Sequence, residues 1–320
     1  MALIGYHCSH EQYPPSQLLR HLQLATEAGF GAAMCSDHFH PWTEQQGNSG
    51  FAWSWLGAAM QASPLSFGTV CAPGQRYHPA IIAQAAATLA GMFPGRFWLA
   101  VGSGEALNES ITGAPWPDKA QRNQRLRECV DVMRALWSGE TVSHEGMVSV
   151  RNARLYSLPA TAPLIIGACL SPETARWMGG WADGMVTVAQ DPDSLRKVVD
   201  AFRSGGGEGK PMYLQVALSC AGSEEEALQA ACREWPQAGL QSDELSDLDS
   251  PQDFARAAAR LRPADVATGI RISSSLQQHV DWLASDMELG FERLYLHNVH
   301  RDQASFIAQF AEHVLPALAK

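Results

Sequence analysis

The chain has 320 residues, 46% of them hydrophobic, with a formal net charge of −10 and a pI near 5.5. That is enough apolar material for a large core, and the acidic balance excludes nucleic acid, whose phosphates need clustered Lys and Arg. No apolar window approaches the ~18 residues of a membrane span, and Met1-Ala2-Leu3-Ile4-Gly5-Tyr6 has neither the basic start nor the apolar run of a signal peptide.

Seven cysteines are scattered without a C-x-x-C pair, mostly in apolar runs, which predicts buried thiols in a reducing cytoplasm rather than disulfides. Read in chain order, short apolar runs alternate with amphipathic stretches. The pattern predicts a strand at 3–6, a helix at 15–28, a strand at 32–36 and a helix at 51–62. It continues with strand 65–70, helix 79–92, strand 97–101 and helix 121–137. Then come strand 164–167, helix 171–181, strand 184–188, helix 193–204 and strand 212–218. A longer helical region over 223–261, a helix at 276–289, a strand at 293–296 and a helix at 303–319 complete the chain.

Eight strands, each followed by a helix, predict parallel strands with helical crossovers, and eight is the number that closes a (β/α)8 TIM barrel. Residues 1–320 read as one such domain with insertions: a surface hairpin over about 140–156 and a helical insertion over about 223–262. Gly205-Gly206-Gly207 reads as a flexible turn, and 237–250 as a polar, mobile part of the insertion.

On this fold the loops after the C-terminal strand ends form the active site. Ionisable residues gather there. Ser36-Asp37-His38-Phe39-His40-Pro41-Trp42 follows strand two directly, and a buried strand does not normally run out into charge unless something binds it. Thr69 and Val70 lead into Arg76-Tyr77-His78 after strand three, Gly102-Ser103-Gly104-Glu105 follows strand four, Ser171 and Thr174 follow strand five, and His297-Asn298 follows strand eight.

His38 is the candidate acid or base, because an imidazole changes charge near neutral pH. Asp37 is a candidate to orient it, although neighbours on an extended strand point opposite ways. The run Gly102-x-Gly104 opens like a dinucleotide fingerprint, but Leu107 replaces the third glycine and Glu105 would repel a pyrophosphate. A glycine-lined strand end suits a flat ring, with Glu105 as proton donor or acceptor; the plainer alternative is a carboxylate favoured at a helix N-terminus. Ser171-Pro172-Glu173-Thr174 opens a helix with two hydroxyls beside free N–H groups, a phosphate site or an ordinary cap. His7, His10, His21, His144, His279 and His313 read as satisfied structural histidines. No spaced ligand cluster supports a metal, and no G-x-S-x-G elbow supports a hydrolase.

Several stretches resemble the luciferase-like flavin oxidoreductase superfamily, nearest to its coenzyme F420-dependent glucose-6-phosphate dehydrogenase group. They are Ser36-Asp37-His38-Phe39 with Pro41-Trp42, Arg76-Tyr77 with Pro79, Ala83-Gln84-Ala85, Gly102-x-Gly104-Glu105-Ala106-Leu107-Asn108-Glu109, Leu136-Trp137-Ser138-Gly139 and Ala182-Asp183-Gly184. The resemblance implies a TIM barrel and hydride transfer to a flavin-like cofactor. It implies that Asp37, Thr69, Val70, Ser103 and Gly104 contact that cofactor, with a cis peptide at Thr69-Val70 behind its ring. His38 would take a substrate proton, Trp42 would stabilise the reacting substrate, and Glu105 would be the acid beside the ring.

Two departures narrow the expectation. The family's phosphate-binding lysine after strand six is replaced by Ala189-Gln190-Asp191, which argues against a sugar phosphate. The glycine pair that receives the deazaflavin phosphate is replaced by Leu170-Ser171, and Ser171-x-x-Thr174 is similar to an FMN-phosphate site. The leading expectation is therefore FMN, with F420 as the alternative. The rival activities are a monooxygenase fed by a separate flavin reductase, and a flavin-binding protein without catalysis. A homodimer acting on a small organic substrate is expected by resemblance.

Overall fold

The computed structural model describes residues 2–319. Eight strands are present where the apolar runs place them: β1 Leu3–Cys8, β2 Ala32–Cys35, β3 Ser66–Cys71, β4 Phe97–Val101, β5 Leu164–Ala168, β6 Gly184–Val188, β7 Met212–Ser219 and β8 Arg293–Asn298. Each pairs in parallel with the next, and β8 closes on β1 with Leu3 opposite Arg293 and Tyr6 opposite Leu296. This is a TIM barrel.

The alternation of side chains along each strand divides the core in two. Outward residues such as Cys35, Phe67, Leu99, Ile165 and Leu214 join the helices in one large cluster. Inward residues form a smaller cluster of Ala32, Met34, Trp98, Ala100, Ile166, Val186, Tyr213 and Tyr295. Trp98, Tyr213 and Tyr295 fill the N-terminal half of the barrel, and the Trp98 indole N–H donates to the Tyr295 hydroxyl at 3.1 Å. Glycines make the room: a Cβ on Gly68 would lie 1.9 Å from the Trp98 ring, and one on Gly5 2.5 Å from Tyr295. These rings fill the lower barrel.

The hairpin forms as expected, with Val142–Glu145 antiparallel to Ser149–Ala153. Three expectations change. Residues 205–207 are not a flexible turn: they lie in the tight turn Arg203–Gly207, where a Cβ on Gly205 would meet the Arg176 carbonyl at 2.1 Å. These glycines let two helix ends touch. Residues 237–250, read as a polar break in the insertion, carry the helix Ser242–Asp247, and Asp247 accepts the Trp116 indole N–H at 3.1 Å. Finally, among the described residues every peptide bond is trans, Thr69-Val70 included, because both residues continue the regular ladder opposite Leu99 and Ala100.

Candidate functional site

The loops after β1, β2 and β4 bring three ionisable side chains together. His38 Nε2 lies 3.6 Å from Glu11 Oε1 and 3.9 Å from Glu105 Oε2. Glu11 is almost fully buried and held by two hydroxyls, donated by Ser9 at 2.7 Å and Ser36 at 2.8 Å. Burial works to raise its carboxyl, yet the adjacent His38 and the Ser9 hydroxyl outweigh that and hold it below the usual value. Glu105 caps the short helix Ala106–Glu109 through its backbone alone, without a side-chain cap bond. A third of its side chain still faces the mouth, but the carboxyl is recessed among desolvating walls, which push it above the ordinary carboxylate range against the pull of His38. Two carboxyls with opposite shifts flank one imidazole, the arrangement that separates a standing anion from a proton donor.

Trp42 packs its ring 4.8 Å from the His38 ring and edge-on against Phe254 at 5.1 Å. The insertion supplies the rest of this wall: Leu240, Phe254 and Ala257 cluster with Leu107, and Trp42, Leu245, Leu248 and Leu261 pack onto them. The Trp42 side of His38 is therefore apolar, built largely from the insertion. Val70, half-buried, closes the inward side together with Ala168, and Gly102 leaves the Ala168 methyl as the nearest atom a side chain there would touch, at 3.7 Å. Small and apolar inward residues at the last layer of a barrel suit a planar ring. Gly104 takes φ +92°, and a Cβ there would press on Glu109 and Trp116 at 3.2 Å.

Asp37 turns away from His38. Its carboxylate accepts the Tyr77 hydroxyl at 3.0 Å and lies 3.4 Å from the Arg76 guanidinium, which also reaches Glu109 at 3.5 Å. Glu11, not Asp37, is the carboxylate beside the imidazole. Thr69 is likewise turned outward, its hydroxyl donating to the Cys35 carbonyl with no exposure, so its side chain does not reach the mouth. Ser103 is half-buried at the rim. Ser171 caps the helix Pro172–Gly179: its hydroxyl oxygen accepts the Thr174 N–H at 3.3 Å and lies 3.1 Å from the Thr174 hydroxyl. This is the geometry of an ordinary cap, at the strand-five rim.

Glu11 was missed, although Ser9-His10-Glu11-Gln12 after β1 repeats the signal read after β2: polar, ionisable residues directly beyond a buried strand. Three histidines assigned to the satisfied core are not satisfied. His7 Nδ1, both ring nitrogens of His10 and His21 Nδ1 are buried without a protein partner. His7 stacks 4.6 Å from His297, which in turn meets Gln12 at 2.9 Å.

The sequence matches the luciferase-like monooxygenase family over residues 2–293. The chain belongs to that family. An F420-dependent glucose-6-phosphate dehydrogenase of Beutenbergia cavernae is 34% identical over 99% of this chain and 98% of its own. One from Microbacterium testaceum is 36% identical, covering 99% and 97%. An F420-dependent secondary alcohol dehydrogenase, solved with an F420-acetone adduct, superposes with a TM-score of 0.91 at 30% identity over 99% of both chains. This luciferase-like protein is thus an oxidoreductase of flavin-type chemistry, as the motifs implied. No helix among its described residues is long and apolar enough to cross a membrane.

Proposed function

We propose that this protein is a dehydrogenase that uses coenzyme F420, rather than FMN, to oxidise a small uncharged secondary alcohol. The observation that carries the reading is the His38 imidazole set between the Glu11 and Glu105 carboxyls, one shifted down and the other up, with an apolar wall beside Trp42. His38 accepts the hydroxyl proton, Glu11 balances the resulting positive charge, and Glu105 holds a proton toward the cofactor space. The deazaflavin, when bound, supplies a ring carbon that accepts hydride. Val70, Ser103 and Gly104 would hold its ring, with Ser171 and Thr174 at the phosphate end.

Three surrounding arginines are already matched. Arg76 serves Asp37 and Glu109, Arg301 serves Glu234, and Arg122 serves Asp247. Asp191, where the resemblance expects a lysine, caps the helix Pro192–Phe202 and stays ionised, its hydrogen bond from Ser194 holding it below the ordinary value. A phosphorylated sugar would meet the Asp191 carboxylate where the resemblance expects a lysine, with those three arginines already paired. The relatives and the secondary alcohol dehydrogenase carry the same cofactor in their names, which supports F420 over FMN. The same reading takes the chain as one cytoplasmic domain that dimerises and needs no separate flavin reductase.

The test is an anaerobic titration with F420 and with FMN, followed by F420 reduction rates with propan-2-ol and with glucose 6-phosphate. Tighter F420 binding and turnover of the alcohol are expected. Tighter FMN binding, or a higher kcat/KM for the sugar phosphate, would overturn the assignment.

A further inference from the structure

Asn108 lies in the helix Ala106–Glu109 with only 5% of its surface exposed. Its side-chain oxygen accepts the Phe39 backbone N–H at 2.8 Å. An N–H can only donate, so this contact fixes the amide: Oδ1 faces Phe39 and Nδ2 faces away from it. Nδ2 then donates to Glu105 Oε2 at 3.5 Å, the oxygen that also lies 3.9 Å from His38 Nε2. One buried amide spans the peptide next to His38 and the carboxyl of Glu105.

We propose that Asn108 is a positioning residue that fixes which Glu105 oxygen carries the proton. A donor held beside Oε2 makes that oxygen the acceptor, and the proton of the neutral carboxyl then resides on Oε1. The same amide ties the carboxyl's rotamer to the loop that carries His38, so acid and base keep a fixed separation. The inference rests on the reading of Glu105 as the acid beside the cofactor, but its first test needs no cofactor and no activity.

In infrared spectra of the cofactor-free protein, the carboxyl band lost in Glu105→Gln identifies Glu105, and its pH midpoint can be followed. In Asn108→Ala the ionised form loses a donor, and the midpoint should rise by about one pH unit, the usual worth of a charge-assisted hydrogen bond. Asn108→Asp keeps an oxygen for the Phe39 N–H and so reports even where the alanine variant fails to fold; it should raise the midpoint further, by setting a second carboxyl against Oε2. With F420 and alcohol, Asn108→Ala should lower kcat about tenfold with KM within about twofold, part of what proton transfer supplies. In a Glu105→Gln background the same change should cost nothing more. An unmoved midpoint in folded variants, or the same loss of kcat in both backgrounds, would overturn the proposal. Full turnover by Glu105→Gln would sink the acid reading while leaving the midpoint shift to be judged separately.

Discussion

At the scale of single residues, the site turns on two carboxyls of unlike environment rather than on the acid beside His38 in sequence. Alternation along the chain sends Asp37 and His38 to opposite sides, so Asp37 meets Arg76 and Tyr77 while His38 meets Glu11 and Glu105. His38 was legible because an imidazole at a strand end has few structural uses. Glu11 carries the same strand-end signal, but its pairing was not legible, because its partners Ser36 and His38 lie 25 or more positions further along the chain and only the closed sheet brings β1 beside β2. His38→Ala is expected to lower kcat by about 10²–10⁴-fold while F420 affinity, read by fluorescence quenching, stays within a few-fold. Wild-type turnover in that variant would remove the imidazole from the reaction.

Among elements, the informative unit is the junction of three loops around Arg76. Its Nη2 donates to the Asp37 carbonyl at 2.8 Å, and its backbone N–H donates to Glu109 at 2.6 Å, so the loop after β3 clasps the loops after β2 and β4. Both carboxyls are essentially unexposed, and burial raises each against the pull of Arg76. Removing the shared cation strands two desolvated acids. Arg76→Ala should therefore cost about 3–5 kcal/mol, the range for breaking a buried pair, seen as a lower urea midpoint. An unchanged midpoint would show that the two acids are stable without their cation.

The strands were the legible elements, each apolar run appearing as a strand with ends shifted by no more than about two residues, the ordinary scatter of boundaries. The insertion was less so. Residues 242–247 have the polarity of a loop, and they are helical because Trp116 and Arg122, more than a hundred positions away, hold Asp247. Local composition carries no trace of that contact. The glycine run 205–207 was misread for the same reason: glycine permits both flexibility and close approach, and only the Arg176 carbonyl decides between them.

For the molecule as a whole, buried histidines couple stability to pH. Burial lowers His7 well below 6.5, His10 to about 4 and His297 to about 3. The unfolded chain protonates these rings near 6.5 and the native state does not, so their contribution is complete above that pH and declines as pH falls. Asp37, Glu105 and Glu109, raised by burial, act in the opposite sense, contributing at low pH and losing that contribution as pH rises through their native values. A single-site comparison isolates one ring. His297→Asn keeps a donor for Gln12 and should gain about 2 kcal/mol on the wild type between pH 7 and pH 5, measured by urea unfolding at both. A difference independent of pH would show that the native ring titrates normally.

The indole and two phenols packed against Gly5 and Gly68 also bear on kinetics. They make the barrel a cup rather than a tube, with a single rim for everything that enters or leaves. If, as proposed, a heterocycle lies across that rim and an alcohol sits against Trp42, the two share this opening and their arrival and departure follow a queue. Product-inhibition patterns should have the form of a compulsory-order mechanism, in which the ketone is free to go only in its turn.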